Sequence, residues 1–203
     1  MTNDPIKMAV TYLQRDNQQG EQKPDPQAVV SALIAAEKQS KKEKRQYQYD
    51  DLLGTWRLGF VSGTQTVRSR PNARPTKKPG KGRFLPGLLK VEITYKLKDD
   101  QSSAPLNEVD NQVTLGPFQL CLSGPTRFWP KPNALAFDFT KLAVSLGNWT
   151  PYQGSIRGGE ESRQQFEAQA LKDQAFFTFF LVEDTHIAAR GKGGGLALWT
   201  RQP

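Results

Sequence analysis

Hydrophobic and polar positions divide the chain into two parts with different periods. Up to about residue 50 the apolar residues recur at helical spacing, and beyond it they alternate. Asp4-Pro5 reads as an N-cap followed by proline at the first helical position, and Ile6, Val10 and Leu13 then share one helical face. Asp25-Pro26 repeats the signal ahead of Val29, Val30, Leu33 and Ile34, which predicts a second helix from Pro26 into the mid-forties. Its second half, Glu37 to Arg45, is almost wholly charged, so the spacing predicts a solvated helix docked at one end only.

From Leu52 the period becomes two. Trp56, Leu58 and Phe60 alternate with Thr55, Arg57 and Gly59, which places the three large side chains on one face of a strand. Val91, Ile93, Tyr95 and Leu97 do the same, as do Phe118, Leu120 and Leu122, and then Leu135, Phe137 and Phe139. The run from Ala175 to Val182 is apolar throughout. Glu183-Asp184 predicts a turn, Thr185 to Arg190 a return strand, and Leu196 to Thr200 a last strand. Strands joined mostly by turns form an antiparallel all-β sheet, and closure into a barrel removes its edges. The expected organisation is a helical extension over residues 1–50, one or two helices, and a barrel domain over 51–203.

Composition adds a partner class. Only 36% of the residues are hydrophobic and the formal charge is +8, which fits polar extensions around a smaller core and points to anionic partners. Part of the charge lies on the second helix, at Lys38, Lys41, Lys42, Lys44 and Arg45. Another part lies between Val67 and Phe84, where Arg68, Arg70, Arg74, Lys77, Lys78, Lys81 and Arg83 occur with three prolines and no acid. Residues 62–87 are therefore expected to form a basic loop that contacts an anionic membrane surface or an acidic protein partner; a merely solvated loop is the equal alternative. Phe84 is the one aromatic there, so the interleaving that stacks bases is missing and nucleic acid is disfavoured. No run approaches the roughly 18–20 apolar residues of a spanning helix, and the first ten residues lack a signal-peptide arrangement. The expected location is cytoplasmic.

Little in the sequence offers chemistry. His186 and Cys121 are single, which excludes an intramolecular disulfide and disfavours a Cys- or His-rich metal cage. A Cys121–His186 dyad is geometrically open, yet no glycine elbow or helix N-terminus flanks Cys121 to lower its pKa. The acidic pairs Asp99-Asp100, Glu160-Glu161 and Glu183-Asp184 fall where turns are expected, and Asp138 has the parity of an outward side chain. The RGKGGG stretch from Arg190 to Gly195 lacks the spacing of a phosphate-binding loop and reads as a bulge or strand corner. No catalytic residue, metal or cofactor is predicted.

Two stretches resemble the plastid lipid-associated protein family, also called fibrillins. They are LLGTWRLGF at Leu52–Phe60 and LVEDTHIAARGKGGGLALWTR at Leu181–Arg201. The first is also similar to the Gly-x-Trp signature of lipocalins, in which the tryptophan closes the barrel bottom. The resemblance rests on Gly54, Trp56, Asp184, Arg190, Gly191 and Gly194; Thr185-His186-Ile187 and Ala188-Ala189 depart from it. It implies a lipocalin-like barrel, no catalysis, binding of lipid, carotenoid or prenylquinone, and peripheral association with thylakoids, on the stromal side in a plastid.

The leading expectation is thus a non-enzymatic binder of an apolar small molecule. Its cup is expected to be lined by Trp56, Leu58, Phe60, Ile93, Tyr95, Phe118, Leu120, Phe137, Phe139, Phe177 and Phe179, with Arg190 at the site and Arg190 or Arg201 covering Trp56. The same rings could instead fill the barrel. From other classes, the alternatives are a scaffold that grips an acidic partner or RNA through the basic loop, and a calycin-type chromophore lyase.

Overall fold

The computed structural model describes residues 4–14, 23–67, 76–97 and 106–203. Two helices come first, α1 (Pro5–Gln14) and α2 (Pro26–Glu43). Asp25 caps α2 by accepting from the Ala28 amide at 2.8 Å, and proline follows it at the first helical position, as the sequence predicts. After a 3-10 turn at Asp50–Leu52 come β1 (Gly54–Val67), β2 (Thr76–Phe84), β3 (Leu89–Lys96), β4 (Asn107–Leu115), β5 (Phe118–Trp129) and β6 (Ala134–Phe137). The chain continues with β7 (Lys141–Leu146), β8 (Trp149–Ser155), α3 (Glu160–Ala168), β9 (Ala175–Val182), β10 (His186–Gly191) and β11 (Leu196–Arg201).

All described pairings are antiparallel, and eight strands close a barrel in the order β1, β3, β4, β5, β6, β9, β10, β11 and back to β1. The fold is mainly β, a closed antiparallel barrel of eight strands with α1 and α2 packed outside it. Two long strands change partner along their length. β1 lies against β3 at Gly54–Arg57 and against β2 from Phe60 onward. β5 lies against β6 at Thr126–Trp129 and against β7 at Phe118–Ser123. Beyond these branch points the wall splays into two lips, a β1–β2 ribbon and a longer sheet of β4, β5, β7 and β8.

Two apolar clusters, one on each side of the wall, hold the molecule together. Inside, Trp56, Ile93, Tyr95, Val109, Leu135, Phe179, Ile187 and Trp199 pack with Leu52 and Tyr49. Outside, α1 and α2 bury Ile6, Ala9, Val10, Val29, Val30 and Leu33 against Phe60, Phe84, Phe180, Ala188, Leu196 and Leu198. Each large aliphatic side chain buried here contributes about 2 kcal/mol. The helical extension is therefore part of the barrel's outer core.

Three expectations are corrected. Phe60 belongs to the outer cluster and not to the cup, because the β1–β11 register shifts between Leu58 and Phe60. Gly59 is the extra residue of this bulge; Val61 then faces the inner cluster in Phe60's place. Residues 62–87 are not a loop for most of their length, since Ser62–Val67 pairs with Thr76–Gly82 through the β1–β2 ladder. A polar, solvated ribbon can rest on that ladder without any apolar alternation to reveal it. Arg68, Arg70 and Arg74 lie outside the described residues. Finally, Glu37 and Ser40 are buried although they sit in the charged half of α2.

Among the described residues no helix is long and apolar enough to cross a membrane.

Candidate functional site

The barrel has a closed end and an open end. At the closed end the Asp50–Leu52 turn lies under the wall, and the Trp56 indole N–H donates to the Leu52 carbonyl at 2.7 Å. The Arg201 guanidinium lies over the Trp56 ring at 3.9 Å and donates to the Leu53 and Asp184 carbonyls at 2.9 and 2.6 Å. Gly54 makes this cover possible: its φ is +110°, and a Cβ there would stand 2.8 Å from an Arg201 nitrogen. Of the two arginines expected over Trp56, Arg201 covers it. Arg190 instead faces outward and pairs with Glu37 of α2.

Four of the expected lining residues form a filled floor. Trp56, Ile93, Tyr95 and Phe179 are all buried in the inner cluster, and the rings of Tyr95 and Phe179 meet edge-on at 6.4 Å. Burial also pushes the Tyr95 hydroxyl pKa up, which keeps it a neutral phenol.

Above the floor the wall is only half-buried. Leu58 and Val61 of β1, Phe137, Phe139 and Phe177 pack against the inner cluster while keeping part of their surface open. Phe137 stacks on Phe177 with centroids 5.2 Å apart and touches Phe139 at 5.4 Å; Phe177 meets Trp199 edge-on at 5.3 Å. Leu120 and Phe118 lie further out, on the long lip, where Phe118 is 59% exposed. The expected cup thus divides into a packed floor, a half-open aromatic middle and an exposed rim.

Three cavities of about 570, 570 and 340 Å³ lie away from the Phe137–Phe139–Phe177 wall. The first is flanked by Gln46–Asp50 and Arg127–Phe128, the second by α1 and Glu183–His186. The third lies between the end of α2 and Pro130–Asn133 and reaches Phe179, the one expected lining residue that touches any of the three. Sequence periodicity had no means of finding these. The first and third meet at Gln46 and Pro130, where the chain after α2 is held by Asn133, whose side chain accepts from the Tyr47 amide at 3.1 Å and donates to the Arg45 carbonyl at 2.8 Å.

The groups considered for chemistry are engaged elsewhere. Cys121 is half-buried in β5 with the Ser123 hydroxyl at 3.8 Å, while the His186 Nδ1 lies 3.0 Å from the Thr185 hydroxyl. β5 and β10 are not neighbours in the sheet. Burial lowers the His186 pKa despite Glu183 nearby. Asp138 points outward and organises the start of α3: Arg157 donates to it at 3.1 Å and the Ser162 hydroxyl at 3.0 Å. No three His, Cys, Asp or Glu side chains group as a metal cage among the described residues. Of the basic contact set, Lys78, Lys81 and Arg83 are exposed on β2, and Lys77 is a member of that strand.

No protein-family model matches the chain, and no curated protein is significantly similar to it. One solved structure is similar, a redesigned β-barrel with 12% sequence identity, covering 76% of this chain and 95% of that one at a TM-score of 0.29.

Proposed function

We propose that the protein binds an apolar ligand of the lipid class in the half-open middle of the barrel, without transforming it. The observation that carries this reading is the Phe137–Phe139–Phe177 cluster, which stands on a packed floor yet keeps open surface toward the unclosed end. A wall of large rings left partly exposed is costly in water unless something apolar covers it. The family resemblance of Leu52–Phe60 and Leu181–Arg201 narrows the class to lipid, carotenoid or prenylquinone and favours a site near photosynthetic membranes.

Mass spectrometry of an organic extract of the purified chain tests the reading. The expected result is a co-purified lipid, quinone or pigment, lost from the Phe137→Ser/Phe177→Ser variant. An extract without any such molecule, together with no uptake of added lipid or prenylquinone, overturns it.

A further inference from the structure

The two hairpins of the long lip share a composition found nowhere else along the barrel. Positions 111–126 and 142–156 contain no Asp, Glu, Lys or Arg, in a chain that is 24% charged. Their registers align apolar residues across four strands. Val113, Leu120, Val144 and Tyr152 form one row, and Leu115, Phe118, Leu146 and Trp149 form the next. Residues directly opposite one another share a face. Here it is the face that carries Val109 into the inner core, so the lip extends the cup wall beyond the barrel.

The outer row is bare. Leu115, Phe118, Leu146 and Trp149 are 54%, 59%, 39% and 65% exposed. They flank two tight tips, Gly116-Pro117 and Gly147-Asn148, which stand side by side because the Gly147 amide donates to the Pro117 carbonyl at 2.9 Å. One exposed leucine is ordinary, but an aligned row of four on two charge-free hairpins, with Lys90 and Glu92 of the neighbouring β3 opposite Thr114 and Gln112 on the other face, marks an interaction surface.

The geometry points to a membrane-docking edge: the two tips enter the interfacial layer of an anionic bilayer, with the barrel mouth facing the lipid. Three features favour lipid over a second copy of the chain. The opposite face of the lip carries Gln112, Thr114, Gln119 and Ser145, so immersion takes no charge out of water, and Trp149 and Tyr152 suit the headgroup boundary. The second lip at the same end presents Lys78, Lys81 and Arg83, in a chain of net charge +8, to phosphate groups. β8 ends the sheet, and the exposed Pro151 within it blunts the pairing of another strand there.

Sedimentation of the full chain with vesicles of equal parts phosphatidylcholine and phosphatidylglycerol tests this. The chain is expected to bind them, more weakly at high salt, and the Phe118→Ser/Trp149→Ser variant is expected to lose at least about tenfold in partitioning while melting normally. Lipids brominated on the acyl chain should quench the fluorescence of the bound chain, and Trp149→Phe should remove that quenching while keeping vesicle binding. Unchanged partitioning of the double variant, or no quenching traceable to Trp149, overturns the proposal. So does a loss of oligomeric mass in the double variant without any vesicle binding by the parent, which would assign the lip to a second copy. Failure here is distinguishable from failure of the ligand reading, because the double variant leaves Phe137, Phe139 and Phe177 in place and its extract can still be assayed.

Discussion

Arg190 on β10 donates from Nε to Glu37 Oε1 of α2 at 2.9 Å and from Nη2 to the other carboxylate oxygen. Its remaining nitrogen donates to the Gly194 carbonyl at 2.6 Å, and Lys41 reaches Glu37 at 2.8 Å. This fork fixes α2 on the outside of the barrel. Breaking one side of a largely buried pair leaves a charge without compensation, so Glu37→Gln is expected to cost about 3 kcal/mol. For a chain of this size that lowers the melting temperature by roughly 6–12 °C. Glu37→Leu combined with Arg190→Met should recover much of the loss, because both desolvation costs disappear together. Thermal unfolding followed by circular dichroism checks it; a double variant as unstable as the sum of the singles would contradict the account.

Acid should weaken the fold in two stages. Burial lowers the His186 pKa below its ordinary value of 6.5, so the unfolded chain takes up that proton first and stability falls as pH drops through the sixes. Burial raises the Glu37 carboxyl, but hydrogen bonds and charge from Arg190 and Lys41 outweigh it and leave the pKa below 4.5. The stability it contributes is present above pH 4.5 and is lost as pH falls through the folded value. Urea midpoints from pH 8 to pH 3 should decline in both windows, and His186→Asn should flatten only the upper one.

The bulge at Gly59 has a steric reason as well as a topological one. A Cβ there would lie 2.4–2.8 Å from three side-chain carbons of Leu13, which α1 lays directly on the strand. Gly59→Ala is expected to destabilise by about 2 kcal/mol through overpacking. Leu13→Ala in the same chain should relieve most of that added penalty, and a double-mutant cycle on urea unfolding measures the coupling.

At the closed end, Arg201→Lys keeps the charge but gives up the planar stack and the fork of bonds to Leu53 and Asp184. A loss of about 1 kcal/mol is expected for lysine and about 2 kcal/mol for alanine. Chemical denaturation of both variants checks the order.

The barrel strands that alternate strongly were legible from the sequence, and so were both N-terminal helices, because proline after aspartate and a period of two leave direct traces. Depth was not legible. Alternation assigns Phe118 and Tyr95 alike to an apolar face, yet one lies on the rim and the other in the core. β4 escaped because Asn107–Leu115 is mostly Asn, Asp, Glu, Gln and Thr; it is a strand because β3 and β5 pair with it along its whole length. β8 carries Pro151 and Gly154, and α3 has the single buried aromatic Phe166, so neither announces itself. Gly59 shifts every later residue of β1 by one position, which alternation alone reads as continuity. At the site, the Trp56 floor was legible through Gly-x-Trp, whereas the charge-free lip was visible in composition but had no address until the registers placed its rows together.

The pair that fixes α2 spans 153 positions of chain, and the Asn133 bonds to Arg45 and Tyr47 span 88 and 86. Contacts this distant in sequence form late. During synthesis from the N-terminus, Val29, Val30 and Leu33 of α2 have early partners in α1, Phe60 and Phe84, but α2 is made well before β10, so Glu37 waits for Arg190 until almost the whole barrel has emerged. The charged half that follows, Glu37 to Arg45, keeps that waiting helix in solution and then supplies the latch that secures it.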